Sequence, residues 1–179
     1  IFAAGVPTPA ISADINLMSG MDYTAIAVGG ANGWPLDLLA LVDDNSAPAA
    51  GNFKLRLGHL APFADTITGT LADVRLQDGT IILDDVPFGA VAAYLELPAG
   101  SYDLKITSPD GATTYIDPLP VTFNDGDIVS AFAVGDGANQ PLGVFAWPAG
   151  TPGFLLPLAQ EEQGGTIFLP LIPQGYTVP

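Results

Sequence analysis

The stretch AIAVG at residues 25–29, followed by Pro-Leu at residues 35–36, decides how this chain is organised, because it occurs twice. It returns as AFAVG at residues 131–135, followed by Pro-Leu at residues 141–142. The two copies align without a gap at an offset of 106 residues, and ten aligned residues are identical. Several further positions exchange one apolar residue for another, so the pattern of core-facing positions is kept. The sequence therefore predicts a duplicated unit.

The composition favours a β-rich protein. Hydrophobic residues make up 49% of the 179 residues and charged residues only 13%, which argues against disorder driven by charge repulsion. The 21 glycines and 17 prolines interrupt short apolar runs without a regular period, as in all-β proteins rich in turns. The chain has no cysteine, which excludes disulfides and thiolate metal sites. We predict an all-β fold of tandem antiparallel β-sandwiches, immunoglobulin-like or transthyretin-like.

The charge distribution excludes several kinds of partner. The net charge is −15, and all four basic residues lie between Lys54 and Lys105. Such a chain lacks the basic surface that neutralises nucleic-acid phosphates, and it is not attracted to anionic lipid. It also lacks a run of about 18 apolar residues that could cross a bilayer. We therefore expect neither nucleic-acid binding nor membrane insertion.

The two units are unequal. Residues 1–50 correspond to the C-terminal half of a first β-sandwich repeat, because they contain no counterpart of residues 53–106. Residues 51–158 form a complete second repeat, and residues 159–179 are an apolar C-terminal tail. The first sandwich is therefore expected to be incomplete within this chain. An incomplete sandwich leaves an apolar face and unpaired strand edges that must be covered.

Local patterns predict where the strands lie. In the first unit, apolar runs predict strands at residues 10–17, 23–28 and 36–42. In the second unit, Asp78-Gly79 supplies the positive φ angles of a tight hairpin between two apolar runs. The strand spacing is that of a sandwich or a partly open barrel.

Several motifs link the chain to a known family. The second unit opens with Arg-x-x-His-x-x-Pro in LRLGHLAPFAD and continues with the hairpin ADVRLQDGT. It then carries Phe-Gly-x-Val-x-x-Tyr-x-x-Leu-Pro-Ala-Gly-x-Tyr, while the first unit carries Gly-x-x-Tyr-Thr-x-x-Ala-Val-Gly. The motif residues are Arg56, His59, Pro62, Phe88, Gly89, Val91, Tyr94, Leu97, Pro98, Ala99, Gly100, Tyr102, Gly20, Tyr23, Thr24, Ala27, Val28 and Gly29. With these motifs the chain resembles domain-of-unknown-function family 4397.

The resemblance implies a setting as well as a fold. Members of that family are secreted and cell-surface bacterial proteins, often with the domain in tandem. The resemblance therefore implies β-sandwiches in an extracellular protein, with no catalytic residues to carry over. In the second unit, Val129 and Ser130 replace the Tyr-Thr pair of the closing motif.

Few residues could carry chemistry. His59 is the only histidine, and no Gly-x-Ser-x-Gly elbow is present, so we expect a structural histidine bonded to a backbone carbonyl or an acid. The acidic clusters at residues 43–45, 84–85 and 125–127 are interpreted as turn residues, with weak calcium binding as the alternative. We expect no catalytic residue, no cofactor beyond weakly bound calcium, and no enzymatic activity.

Two functional hypotheses remain. The first is a non-catalytic extracellular structural protein, a homo-polymeric surface filament whose subunits join head to tail by donor-strand or half-domain complementation. Its candidate donated strand is Thr166, Ile167, Phe168, Leu169, Pro170, Leu171 and Ile172. The alternative is a fragment of a cell-surface adhesin or carbohydrate-binding module, with Trp34 and Trp147 as a platform for a glycan or another cell-surface ligand.

Overall fold

The computed structural model describes residues 1–2 and 4–159, and its regular elements are strands apart from one 3-10 turn at Thr68–Thr70. The strands are β1 (Asp22–Val28), β2 (Asp37–Asp43), β3 (Asn52–His59), β4 (Ala72–Leu76), β5 (Ile81–Val86), β6 (Leu95–Pro98), β7 (Gly100–Tyr102), β8 (Leu104–Thr107), β9 (Thr114–Ile116), β10 (Val121–Phe123), β11 (Ile128–Val134), β12 (Gly143–Pro148) and β13 (Phe154–Leu155). The all-β prediction is confirmed. Within the described ranges, no helix has the length and hydropathy needed to cross a membrane. The candidate donated strand at residues 166–172 lies outside the described residues.

The second unit is built from two open sheets. A five-stranded sheet has the order β13-β12-β11-β3-β6, a four-stranded sheet has the order β5-β4-β8-β9, and β7 pairs with β10. One hydrophobic core joins side chains of both sheets, for example Phe53 and Ala131 of the first with Ile116 of the second. Phe53 also stacks on Phe123 of β10, with ring centroids 4.3 Å apart. This arrangement is a β-sandwich, as predicted.

One strand pair departs from the antiparallel expectation. Strands β3 and β11 run parallel, with Lys54 opposite Ile128 and His59 opposite Ala133. All other strand pairs among the described residues are antiparallel. Parallel neighbours require a long crossover connection, and here β4 to β10 provide it. The centre of the larger sheet therefore joins strands that are distant in the sequence.

The duplicated sequence forms the same hairpin twice. In the first unit Val28 lies opposite Asp37, and in the second Val134 lies opposite Gly143. Each residue of the second pair lies 106 positions after its counterpart, so the two hairpins have the same register. The repeat found in the sequence is thus a structural repeat of the β1–β2 and β11–β12 hairpins.

The repeated glycine has a steric role in both hairpins. Gly29 and Gly135 have φ angles of +80° and +92°, a conformation that side chains disfavour. A Cβ atom at either position would also collide with the carbonyl oxygen of the repeated proline, Pro35 or Pro141. The Ala-Val-Gly motif and the Pro-Leu that follows it are therefore linked by a close backbone contact.

The predicted strand at residues 10–17 is wrong. No strand is assigned to that segment, whose counterpart in the second unit includes β10. In the second unit β10 is held by pairing with β7, and the described part of the first unit has no counterpart of β7. As a result Leu17 is 66% exposed, whereas its counterpart Phe123 is 8% exposed and packs in the core. The apolar pattern is present, but the pairing strand is absent from residues 1–2 and 4–50.

Candidate functional site

The most unusual surface of the molecule is one face of the β1–β2 hairpin, which we call the open face. Side chains of a strand alternate between two faces, and the observed register places six residues together on one of them. The open face comprises Tyr23, Ala25, Ala27, Leu38, Ala40 and Val42. Ala25, Ala27, Ala40 and Val42 are exposed, and the other two are half-buried.

The same face of the second hairpin is the centre of the core. The counterparts of these residues 106 positions later are Val129, Ala131, Ala133, Val144, Ala146 and Pro148. The first five of them are buried members of the hydrophobic core. Ala27 and Ala133 are the same amino acid at the same register position, yet only Ala133 is covered. The open face is therefore a core surface without its second sheet among the described residues.

The edge of β1 is also incomplete. In the second unit β11 lies between β12 and the parallel strand β3. In the first unit β1 pairs with β2, and no strand of the described ranges lies on its other side. Unpaired N–H and C=O groups along such an edge can accept another strand. The open face and the free edge of β1 together form the candidate functional site.

The opposite face of the hairpin is held against the second unit by Arg56. This side chain is 4% exposed and donates to the Val42 carbonyl at 3.0 Å and to the Asp43 carboxylate at 2.6 Å. It also donates to the Ser130 hydroxyl at 2.9 Å, and its guanidinium lies 4.7 Å from the centre of the Tyr94 ring. A buried arginine with several partners fixes the end of β2 on β3 and β11.

Lys54 makes a second contact of this kind. Its ammonium group donates to Asp44 at 2.6 Å and to the Ser46 hydroxyl at 2.7 Å. The hydrogen bonds from Lys54 and Ser46 lower the pKa of Asp44 from 3.8 to about 2. Two of the four basic side chains of the chain therefore bind the end of β2 and the residues that follow it. Neither role was predicted from the sequence, although the alternation of side chains along β3 places Lys54 and Arg56 on one face.

The loop of the first hairpin makes a third contact with the second unit. Asn32 donates to the Pro62 carbonyl at 2.6 Å, and the Trp34 indole N–H donates to the Ala64 carbonyl at 2.7 Å. The Trp34 ring also packs on Phe88, with centroids 4.9 Å apart. Trp34 thus acts as a packing residue between the two units.

Trp147 lies elsewhere. It is 40% exposed, contacts Phe145 edge-on at 6.0 Å, and lies opposite Ser130 in the sheet. It lines a cavity with Arg56, whereas the contacts of Trp34 are with Ala64 and Phe88. The structure therefore does not bring Trp34 and Trp147 together in one platform.

His59 is buried and hydrogen-bonded to the backbone. Its Nε2 atom is 2.7 Å from the Thr70 carbonyl oxygen, and the Ala61 amide donates to Nδ1 at 3.3 Å. These partners require a neutral ring with the proton on Nε2. The side chain is 4% exposed, and burial lowers its pKa. His59 is bonded to a backbone carbonyl, as the sequence analysis predicted.

Three carboxylates come close together on the β4–β5 hairpin. Ligand oxygens of Asp73, Asp84 and Asp85 lie within 4.8 Å of one another. Asp73 is fully buried, pairs with Arg75 at 2.6 Å and accepts the Asp85 amide at 2.8 Å. Because Arg75 already balances its charge, Asp73 is accounted for by contacts within the protein.

The other acidic cluster has turn contacts. Asp127 accepts the Asn124 amide at 2.7 Å within the turn between β10 and β11, whereas Asp125 accepts the amide of Gly51, 74 residues earlier in the sequence, at 2.8 Å. Carboxylates that accept nearby backbone amides stabilise turns. Turn formation, the role predicted for this cluster, is therefore observed for Asp127, while Asp125 connects two distant segments.

The fold and the site define a class: a tandem β-sandwich protein whose first unit exposes the core side of one hairpin. Comparison with family models is consistent with this class. The model described as "Domain of unknown function (DUF4397)" matches residues 2–70 and 68–152, and the chain belongs to this family as a tandem pair of domains. The two matches meet near residue 69, within the second unit as the repeat offset defines it. A comparison with curated proteins found no match.

Proposed function

We propose that this chain is a non-catalytic extracellular structural protein, a subunit of a surface filament in which strands of one copy complete the first sandwich of the next. The observation that carries the proposal is the exposure of Ala25 and Ala27, whose identical counterparts Ala131 and Ala133 lie in the core. Apolar core surfaces and free strand edges are the features through which chains join by strand addition.

The second unit supplies a template for the missing strand. Beside β11 lies β3, which runs parallel and sends Phe53 and Leu55 into the core, with exposed fractions of 0% and 2%. A strand added to β1 would therefore run parallel to it and present apolar residues at every second position. The segment TIFLPLI at residues 166–172 is as long as β1 and has Ile167, Leu169 and Leu171 in that spacing. We propose this segment as the donated strand.

The donated strand would close the edge of β1 without covering the whole open face. In the second unit a complete second sheet and the β7–β10 pair cover the equivalent surface. Further contacts between copies would have to cover the rest, including the exposed Ile15 and Leu17. Because the free edge of β1 in one copy would accept a strand from another part of the next copy, the contact joins two different surfaces, is heterologous and produces open fibres.

The high negative charge of the chain should make assembly depend on ionic strength. Every copy carries a net charge of −15, so copies repel each other at low ionic strength. Salt screens this repulsion, with a Debye length of about 8 Å at physiological ionic strength. Assembly should therefore be stronger at high salt than at low salt, as expected for a contact that depends on apolar burial.

The test is electron microscopy and size-exclusion chromatography of the full chain at micromolar concentration in low and high salt. We expect fibres whose length increases with salt. Ala27→Arg places a charge on the open face and should abolish them, whereas Ala112→Arg, the same change at an exposed turn residue, should leave them intact. Removal of residues 160–179 should also abolish them. A chain that stays monomeric under all conditions, or fibres that are insensitive to Ala27→Arg, would refute the proposal.

A further inference from the structure

A cavity of about 140 Å³ lies between the first hairpin and the outward face of the five-stranded sheet. Its walls include Thr24 and Asp43 from the first unit and Arg56, Tyr94, Ser130 and Trp147 from the second. We propose that this cavity binds a neutral polyhydroxylated ligand, a single pyranose sugar. The proposal goes beyond the structural role above and does not depend on assembly.

The polar groups of the cavity have unused hydrogen-bonding capacity. The hydroxyls of Ser130 and Tyr94 are 3.2 Å apart, so one donates to the other and the remaining proton is free to donate. Asp43 accepts Arg56 on one oxygen and Thr24 on the other, which leaves a lone pair on each. Donors and acceptors side by side suit sugar hydroxyls, because each hydroxyl both donates and accepts.

The cavity also has an aromatic rim. Trp147 is 40% exposed at its edge, while the Tyr94 ring is covered by the Arg56 guanidinium at 4.7 Å. A half-exposed indole offers a flat apolar face, and the C–H face of a pyranose can pack on such a ring. Binding sites for small molecules combine an apolar surface of this kind with a few placed polar groups.

The charges in the cavity favour a neutral ligand. The cation of Arg56 is balanced by Asp43 at 2.6 Å, so the described residues that line the cavity carry no unpaired charge. An anionic ligand would be repelled by Asp43 and by the net charge of −15, and a cationic ligand would be repelled by Arg56. A neutral ligand avoids both conflicts and can still bond to the polar groups.

The test uses the full chain and four probes: the methyl glycosides of glucose, galactose, mannose and N-acetylglucosamine. Saturation-transfer NMR and titration calorimetry should show saturable binding of at least one probe, with a dissociation constant in the millimolar range. Trp147→Ala should weaken binding tenfold or more, and Tyr94→Phe, which removes only the hydroxyl, should weaken it several-fold. Phe154→Ala alters another exposed aromatic side chain of the same sheet, outside the cavity, and should have no effect.

The proposal is overturned if none of the four glycosides shows saturable binding, or if both Trp147→Ala and Tyr94→Phe bind the probe as the unmodified chain does. It is equally overturned if choline or acetate displaces the bound sugar by direct competition, because the site would then select for charge. Circular dichroism verifies that each variant is folded. Since Tyr94→Phe removes only one hydroxyl group, this variant still tests the proposal even where Trp147→Ala reduces stability.

Discussion

The repeated glycine shows what one residue decides in this fold. Gly135 combines a φ of +92° with a backbone oxygen where a Cβ atom would lie, whereas Gly150 has a φ of +72° and open space around it. Both positions disfavour a side chain, but only Gly135 also excludes one by contact. Comparing substitutions at these two glycines therefore separates the energetic cost of backbone strain from that of steric exclusion.

We predict that Gly150→Ala lowers the free energy of unfolding by about 1 kcal/mol, the cost of a left-handed alanine. Gly135→Ala should lower it by at least about 3 kcal/mol, because Pro141 or the strand ends must also move. Urea denaturation monitored by circular dichroism measures both values. Equal losses in the two variants would show that the contact between Gly135 and Pro141 has no energetic role.

His59 makes stability depend on pH. Its pKa in the folded protein is below the ordinary value of 6.5 because burial disfavours the charged ring. Below pH 6.5 the unfolded chain therefore takes up a proton that His59 in the folded chain does not. The contribution of His59 to the free energy of unfolding is fully present above pH 6.5 and is lost as the pH falls through the pKa of the folded state. The slope reaches at most about 1.4 kcal/mol per pH unit.

We predict that His59→Gln removes this slope between about pH 5 and 6.5, a range above the ordinary pKa of carboxylates. Glutamine can still donate to the Thr70 carbonyl, so the variant should remain folded. The measurement is the free energy of unfolding across this range for both proteins. Parallel curves for the variant and the unmodified protein would contradict the assignment of the slope to His59.

At the scale of elements, the contact between Arg56 and the end of β2 fixes the first hairpin on the second unit. Without Arg56, the Asp43 carboxylate, whose side chain is 14% exposed, would keep only Thr24 as a side-chain partner among the described residues. Removing one member of a buried ion pair leaves a charge that is neither hydrated nor balanced.

We predict that Arg56→Gln costs about 3 kcal/mol of stability and accelerates amide hydrogen exchange in β1 and β2 more than in β4 and β5. The matched control is Asp44→Asn, which removes the carboxylate charge from the Lys54 contact. Asp44 is half exposed, an asparagine oxygen can still accept from Lys54, and Lys54 keeps the Ser46 hydroxyl as a partner, so this change should cost less stability than Arg56→Gln. Unchanged exchange in β1 and β2 of the Arg56 variant would mean that the contacts of Lys54 and of the hairpin loop hold the hairpin without Arg56.

The elements that could be predicted from the sequence are those whose signals are local. The β4–β5 hairpin follows from Asp78-Gly79, and the β1–β2 and β11–β12 hairpins follow from apolar runs and the repeat. The parallel pairing of β3 with β11 has no local signal, because it depends on packing between distant strands. The strand expected at residues 10–17 carries the right pattern, but a strand forms only where a neighbour can pair with it.

The candidate site was also predictable from the sequence only in part. Alignment of the two units predicted an uncovered first unit, because residues 1–50 contain no counterpart of residues 53–106. It did not predict the cavity beside Trp147, because Thr24, Arg56 and Ser130 come together only when the first hairpin docks. Contacts between units depend on tertiary geometry, which single residues and short motifs do not encode.

At the scale of the whole molecule, the two units should respond differently to protein concentration. If other copies complete the first unit, its stability includes the free energy of association and rises with concentration. The second unit has its own core and should be independent of concentration.

We predict two calorimetric transitions, of which the lower one moves upward by several degrees over a hundredfold increase in concentration. In Ala27→Arg the lower transition should stay fixed, because the open face can no longer associate. If the midpoint temperatures of both transitions are independent of protein concentration, no second copy stabilises the first unit.

The parallel pairing of β3 and β11 also has a consequence for biosynthesis. Arg56 and Ser130 face each other but are 74 residues apart, so at about 5–20 residues per second β3 is made roughly 4–15 seconds before its parallel neighbour β11. The first hairpin is synthesised earlier and closes within microseconds. Asp43 precedes Arg56 by only 13 residues, so we expect the first hairpin to hold β3 on the nascent chain until β11 is made. Slower refolding of Arg56→Gln than of Asp44→Asn would reveal this early partner, and equal rates would exclude it.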